Sequence, residues 1–389
     1  MSSRTNIAIV AWDTEFIDKF SKFTLPCLLS SGNLPALART HTIRLLFYTD
    51  RKSHDHFKNA TAKMKNYGEC IFHLFEDTEV DGETIKDTVT SLKGDTRKHE
   101  IDRRIQFHAI DKSLEAGERE TLFLINQDLV ISDGSLLYAQ TKIDSDADAV
   151  LIPLLRLSLE TAGELSDMLA NSDHVGLNAE SLIRKFPEIL HPVSQSLFVE
   201  APEFSTYPSA IFWPAKDHGW LGRSFFPYTL ALKPRNDCRR FDSTIDYDYA
   251  LTLAKDPKRA VIPSDSKQAF VAKVTTKSYL DTAETFGQIS NNRLAHFILA
   301  ETNKAHRDLA NQPYRIYRNS GIKTDTSVWS MAEDLSSKYL DEIYHFIGTL
   351  KDKLPKDSAE MQEILSSHFG DLSGYLSPMR RTKLRRDSE

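Results

Sequence analysis

The chain has few of the residues that make covalently braced or metal-braced scaffolds. Its three cysteines, Cys27, Cys70 and Cys238, are odd in number, far apart and without a C-x-x-C step. That argues against a disulfide framework or a structural zinc site and suits a reducing compartment, so a cytoplasmic location is expected. Glycine and proline number 15 each, too few for a collagen-like or low-complexity chain. Positive charge is not in excess: 49 Lys and Arg stand against 55 Asp and Glu, a net charge of -6. Composition therefore makes no electrostatic case for nucleic acid as a partner. Long apolar runs are missing too. The longest, AVLIPLL at 149–155, is strand-sized, whereas about 20 residues are needed to cross a bilayer, and residues 7–12 are too short for the core of a secretion signal. G-x-G-x-x-G after the first strand, Walker A, G-x-S-x-G and H-E-x-x-H are all absent, which weakens dehydrogenase, NTPase, serine-hydrolase and zinc-protease readings.

What is present is length and alternation. With 389 residues and roughly 150 per domain, the chain has room for two domains or one large domain with an appendage. Through the first two thirds, apolar segments of strand length alternate with amphipathic segments of helical length, the pattern of βαβ units on a largely parallel sheet. NIAIVAW, IRLLFYTD and CIFHLF read as the first three strands. Residues 98–116 read as a helix stopped at Gly117, followed by the strand region TLFLINQDLVISDGSLL with its Asp133-Gly134 turn. DADAVLIPLL restarts a strand, NAESLIRKFPEIL reads as a helix, and the aromatic-rich stretch from 204 to 235 reads as strand, turn and strand. FDSTIDYDYALTLAK reads as a loop leading into a helix, and AVIPS and AFVAKV as two late strands. Beyond about Tyr279 the periodicity turns helical. The expected organisation is an α/β domain over 1–278, a helical region over 279–378 and a basic, disordered tail over 379–389.

The most informative element is the polar step Asn126-Gln127-Asp128 inside an apolar run. In an α/β sheet, ligands bind beyond the carboxyl ends of strands, and an acid placed there can hold a divalent cation or a ribose hydroxyl. A solvated turn at a strand end is the plainer reading of the same residues. A helix, a short apolar strand, this step, a second apolar run and a turn together resemble the D-x-D region of GT-A-fold glycosyltransferases. Residues 6–274 carry the likeness. The strings LPCLLSSGNLPAL, HPVSQSLF and FSTYPSAIFW also look like a bacterial group of proteins, a likeness that implies no substrate.

The GT-A resemblance implies an α/β fold with a mixed, mainly parallel sheet flanked by helices, and a transferase that moves a sugar from a nucleotide-diphosphate donor. The acceptor would be a glycan, a lipid-linked sugar or a protein. It implies Mn²⁺ or Mg²⁺ on Asp128, with Asn126 departing from the first Asp of the motif and basic side chains sharing the diphosphate charge. It places Arg103 and Arg104 of the preceding helix toward the diphosphate, Thr49 and Asp50 toward the base, and Trp12 and Asp13 on the nucleotide wall. The same residues also read as a solvated charged helix face, a strand cap and core.

An inverting enzyme of this class needs a carboxylate beside the acceptor hydroxyl, a base contributing about 10²- to 10⁴-fold. Asp246, then Asp248, in FDSTIDYDY answer that need, with Asp242 a third acid nearby; acids favoured by a helix amino terminus are the plainer account. Trp213, His218, Trp220 and Arg223 precede that loop and suit a sugar partner, while most such aromatics belong to cores. His218 and His191 are candidate metal ligands of the weakest kind. Five basic residues against two acids in MRRTKLRRDSE allow a peripheral contact with an anionic membrane. Two rivals stay open: a non-catalytic GT-A-like binding or scaffold protein, favoured by Asn126, and a sugar nucleotidyltransferase, whose glycine-rich, lysine-bearing first loop is missing after Val10.

Overall fold

A computed structural model describes residues 4–115, 120–171, 176–241, 245, 249–254, 256–278, 285, 287–318 and 326–351. The first apolar runs form parallel strands, β1 (Arg4–Val10), β2 (Thr42–Thr49) and β3 (Glu69–Leu74). A small hairpin, β4 (Glu79–Val80) with β5 (Glu83–Thr84), leads to the helix Gly94–Leu114. The run interrupted at Asn126 becomes two strands, β6 (Thr121–Asn126) and β7 (Leu129–Ile131). Then follow β8 (Ala149–Ile152), β9 (Leu155–Ser158), β10 (Ala210–Pro214), β11 (Gly219–Ser224), β12 (Tyr228–Leu232), β13 (Ala260–Val261), β14 (Val271–Thr275) and β15 (Tyr314–Tyr317).

Seven of these make the central sheet, in the order β13-β8-β12-β6-β1-β2-β3. β12 is antiparallel to both its neighbours and every other pair is parallel. The fold is thus α/β with a mixed, mainly parallel sheet flanked by helices, as the alternation predicts. Both faces of the sheet are covered, which is why its strands read as unbroken apolar runs. Successive residues of β1 show the two layers: the Thr5 hydroxyl donates to Gln140 Oε1 of the helix Ser135–Asp144 (2.9 Å), while Asn6 Nδ2 donates to Glu120 and its Oδ1 accepts from Arg44 Nε on the opposite face.

Two smaller sheets complete the molecule, β7-β14-β9 and β10-β11-β15. Strand β10 divides its side chains by alternation: Ala210 and Phe212 join the core around the central sheet, and Ile211 and Trp213 join a second core. The second core also contains Leu294, Phe297 and Ile298 of the helix Asn291–Glu301 and Val328, Trp329, Leu340 and Ile343 of the helix Thr326–Lys351. The three-stranded sheet lies between the two cores. Beyond residue 278 the described residues include the helices Asn291–Glu301, Lys304–Ala310 and Thr326–Lys351, while residues 352–378 lie outside the described residues. They also include the strand Tyr314–Tyr317, which pairs with β11. Its carboxyl-terminal partner enforces Gly219, whose φ is +138° and where a Cβ would meet the Ile316 carbonyl oxygen at 1.9 Å. NAESLIRKFPEIL is two short helices, Ala179–Ile183 and Phe186–Ile189, because Pro187 cannot continue the first. The tail 379–389 lies outside the described residues.

Candidate active site at the carboxyl edge of the sheet

Register decides which strand ends meet. Val10 pairs with Tyr48 on one side and Asn126 on the other, and Tyr48 pairs with His73, so β6, β1, β2 and β3 end along one row. From β1 the chain builds outward to β2 and β3, then crosses to the other side of β1 to lay down β6. The carboxyl ends of β1 and β6 therefore flank a topological switch point, where an open α/β sheet leaves its ligand crevice. Trp12 and Asp13 follow β1, and Asn126 to Asp128 follow β6.

The predicted residues at this edge are brought together along the row, each in a different state. Trp12 is half-buried, its ring 4.8 Å from Phe16 and 6.0 Å from Phe75. Asp13 is exposed with φ at +55°, a conformation Asp tolerates better than most residues, and its Oδ1 accepts from the Phe16 amide at 3.2 Å. Asp50 Oδ1 accepts from the Ser53 amide at 2.8 Å, which makes it a cap on the turn after β2. Thr49 is fully buried, and its hydroxyl has no hydrogen-bond partner. The Asn126 carbonyl accepts a long bond from the Thr24 hydroxyl (3.4 Å), which also donates to the Leu129 carbonyl and accepts from its amide, both at 3.0 Å. Thr24 thus pins the polar step from one side.

From the other side β14 pins it: the Val274 amide donates to the Asp128 carbonyl at 2.7 Å. The Asp128 side chain is 9% exposed; its Oδ2 lies 3.5 Å from Lys273 Nζ, with the Lys273 side chain 15% exposed. Its Oδ1 is buried without a hydrogen-bond partner, a state that costs about 1–3 kcal/mol for a polar group and more for a charged one. Lys273 is paired in register with Arg156 on β9, and neighbours in a parallel pair point to the same face. Arg156 Nη1 donates to the Thr275 hydroxyl at 3.1 Å. Sequence reasoning missed Lys273 and Arg156. Each had a signal of the same kind as Asp128: a single charge inside an apolar run, AFVAKV and LLRLSL.

The basic residues that the sequence favoured are engaged elsewhere. Glu100 holds Arg103 at 2.5 and 2.9 Å and Arg104 at 2.9 Å, and Arg104 Nη1 also donates to the Val80 carbonyl at 3.1 Å. Asp242, Asp246 and Asp248 lie outside the described residues. The chain on either side of them is anchored: Phe241 packs on Phe107 (4.7 Å) and Tyr249 (4.5 Å), the Tyr249 hydroxyl donates to the Cys238 carbonyl, and Arg240 bridges Asp81 and Asp111. Because β12 is reversed, Leu232 pairs with Leu122 and Ala149 at the starts of their strands, so the chain leaves the sheet at its amino edge, and the Arg240 bridge then brings it against Asp81 in the hairpin that follows β3.

Trp213 belongs to the second core and Trp220 packs on Phe198. Arg223 is buried and donates to the Ser336 and Ser337 hydroxyls and the Asn311 carbonyl. His218 is buried with neither ring nitrogen hydrogen-bonded. His191 is closed by the Thr276 carbonyl and the Val193 amide, and burial holds its pKa below the ordinary value. A further titratable pair lies under the row: Tyr48 and His108 share a hydrogen bond of 2.9 Å, and the His73 and His108 rings are 4.5 Å apart. Burial, with help from Lys112, pushes His73 down to about 4; burial, with help from His73, pushes His108 down to about 3.

Among the described residues no helix is long and apolar enough to cross a membrane, and no group of three or more His, Cys, Asp or Glu is placed to hold a metal ion. No known protein family and no curated protein matches the sequence. Parts of the chain are similar in three dimensions to solved structures. One is mouse xyloside xylosyltransferase 1 in its apo form, at 10% identity over 40% of this chain and 52% of that one, with a TM-score of 0.28. Another is the mannosyltransferase Ktr4p from S. cerevisiae, at 11% identity over 44% of each chain, with a TM-score of 0.27. A third is 4-diphosphocytidyl-2C-methyl-D-erythritol synthase from Anaerococcus prevotii, at 8% identity over 41% of this chain and 57% of that one, with a TM-score of 0.23. The chain thus spans about half the length of each of these proteins.

Proposed function

We propose that the carboxyl edge of the central sheet binds a nucleotide-diphosphate sugar and that the chain is a GT-A-like glycosyltransferase. The observation that carries this reading is the register row that ends β6, β1 and β2 together, bringing Asn126 to Asp128, Trp12 with Asp13, and Thr49 with Asp50 around one switch point. An acidic step at the end of β6 can hold a ribose hydroxyl or a cation, and the Trp12 ring at the end of the neighbouring β1 offers a face on which a base can stack. In this reading Asp246, with Asp248 second, removes the proton from an acceptor hydroxyl on a glycan, a lipid-linked sugar or a protein.

The test is a thermal-shift screen with UDP-, GDP-, CDP- and TDP-sugars. A donor present at 100 times its dissociation constant should stabilise the fold by about 2.7 kcal/mol. Silence with every donor would remove the reading. Asp246→Asn should then lower transfer by about 10²-fold or more with donor affinity kept, and unchanged turnover would take Asp246 out of the mechanism.

One observation favours the non-catalytic alternative. The helix Thr326–Lys351 exposes Met331 (63%) and Leu335 (60%) beside Pro214 and Lys216, an apolar surface suited to a protein partner. Under that reading the donor screen gives no shift with any sugar nucleotide.

A further inference from the structure

Taking the edge of the sheet as a donor site, we infer that Lys273, with Arg156 beside it, neutralises the donor's diphosphate and that donor binding needs no divalent cation. The chemistry of the donor set comes first. A Mg²⁺ or Mn²⁺ site wants several oxygen ligands, carboxylates foremost. Here position 126 offers an amide in place of a carboxylate, and the Asp128 carboxylate already faces an ammonium at 3.5 Å. A cation on Asp128 would have to sit beside Lys273, like charge against like, in a half-sealed site where repulsion is poorly screened. These residues do not fit a divalent ion.

They do fit an anion. The Asp128–Lys273 contact is longer than the 2.7–2.9 Å or so of a charge-assisted hydrogen bond, and Asp128 Oδ1 accepts nothing, so neither partner is saturated by the other. Lys has three donors and acts on phosphate as a compact point charge; Arg adds a planar fork matched to phosphate oxygens. In register on adjacent parallel strands, the two sit about 4.8 Å apart at the backbone on one face. Together they carry the two positive charges that a divalent ion would bring. Asp128 then acts as a positioning residue: it holds the Lys273 ammonium at the end of the polar step, within reach of phosphate oxygens brought in by a nucleotide lying across the switch point.

The test is calorimetric titration of the full chain with UDP, GDP, CDP and TDP, each in EDTA and each with Mn²⁺. The nucleotide that binds should bind with the same affinity, within about twofold, in both buffers. Lys273→Met should weaken it more than tenfold in both, while Lys273→Arg should stay within a few-fold of wild type, because charge rather than shape is at stake. Should Lys273→Met fail to fold for want of a partner to Asp128, the double variant Asp128→Asn/Lys273→Met removes both charges and should show the same loss. Binding that requires Mn²⁺ overturns the inference and leaves the donor site standing, as does wild-type affinity in Lys273→Met or in the double variant. Absence of binding by all four nucleotides in both buffers overturns the donor-site reading, and this inference with it.

Discussion

The core around the central sheet and the core beneath the carboxyl-terminal helices treat a cationic side chain in opposite ways. In the second, Arg223 reaches from β11 to the Ser336 and Ser337 hydroxyls and the Asn311 carbonyl, joining a strand, a helix and the end of another helix. In the first, Lys273 faces a carboxylate with one oxygen unsatisfied, at the end of a row of strand termini where the Thr49 hydroxyl also has no partner. A guanidinium whose donors are met by protein groups is a fastener. A charge pair left incomplete at a switch point keeps hydrogen-bonding capacity unspent, which is what the proposed donor site would use.

That contrast can be broken first at the level of packing. Phe47, stacked 4.8 Å from Phe72 and buried in the first core, and Trp329, buried in the second, should each cost about 3–5 kcal/mol when cut to Ala. Because β10 feeds side chains into both cores, urea unfolding of either variant followed by tryptophan fluorescence and by circular dichroism should give one coincident transition. Separated transitions would show that the cores are independent. Next comes the fastener itself. Arg223→Ala should lose about 1.5–3 kcal/mol, the range for a hydrogen bond to a charged group, without altering nucleotide titrations; a change in nucleotide affinity would show that Arg223 serves the edge as well.

Acid should lower the stability of the whole fold through two rings beside Tyr48. His73 and His108 are held at about 4 and about 3 in the folded chain, against an ordinary 6.5. Below 6.5 the unfolded chain takes up protons that the folded chain refuses, so the stability these rings contribute is whole above 6.5 and falls as pH drops toward 4 and then 3. His108→Gln should flatten that slope in urea midpoints measured against pH, and an unchanged slope would remove the pair as its source. The smallest effect is expected at Arg240, whose bridge to Asp81 and Asp111 is one-third exposed at its arginine end. Arg240→Ala should cost about 0–1 kcal/mol, and a loss several times larger would mean that the anchored segment before Asp246 carries the fold.

Much of the first core was legible. NIAIVAW, IRLLFYTD and CIFHLF are strands within a few residues of where their apolar runs suggest, because strands covered on both faces need unbroken apolar sequence. The polar step at Asn126 to Asp128 is indeed a break, between β6 and β7. Less legible was the strand Tyr314–Tyr317, too short to announce itself among helices. The aromatic stretch around Trp213 reads equally as a sugar platform and as core, since an aromatic side chain serves both by the same contact area. Arg103 and Arg104 carry the charge that phosphate needs, yet Glu100, three and four residues away on the same helix, claims both.

By itself the sequence determined the class of fold, the order of strands along the chain and the residue types at each strand end, because periodicity and burial are local demands that each segment must meet alone. Only the tertiary structure decided which ends share a row and which charge meets which. Sheet order and register bring Lys273 to Asp128 across 144 intervening positions, and hydrogen-bonded pairing of distant strands leaves no mark on either strand that names its partner.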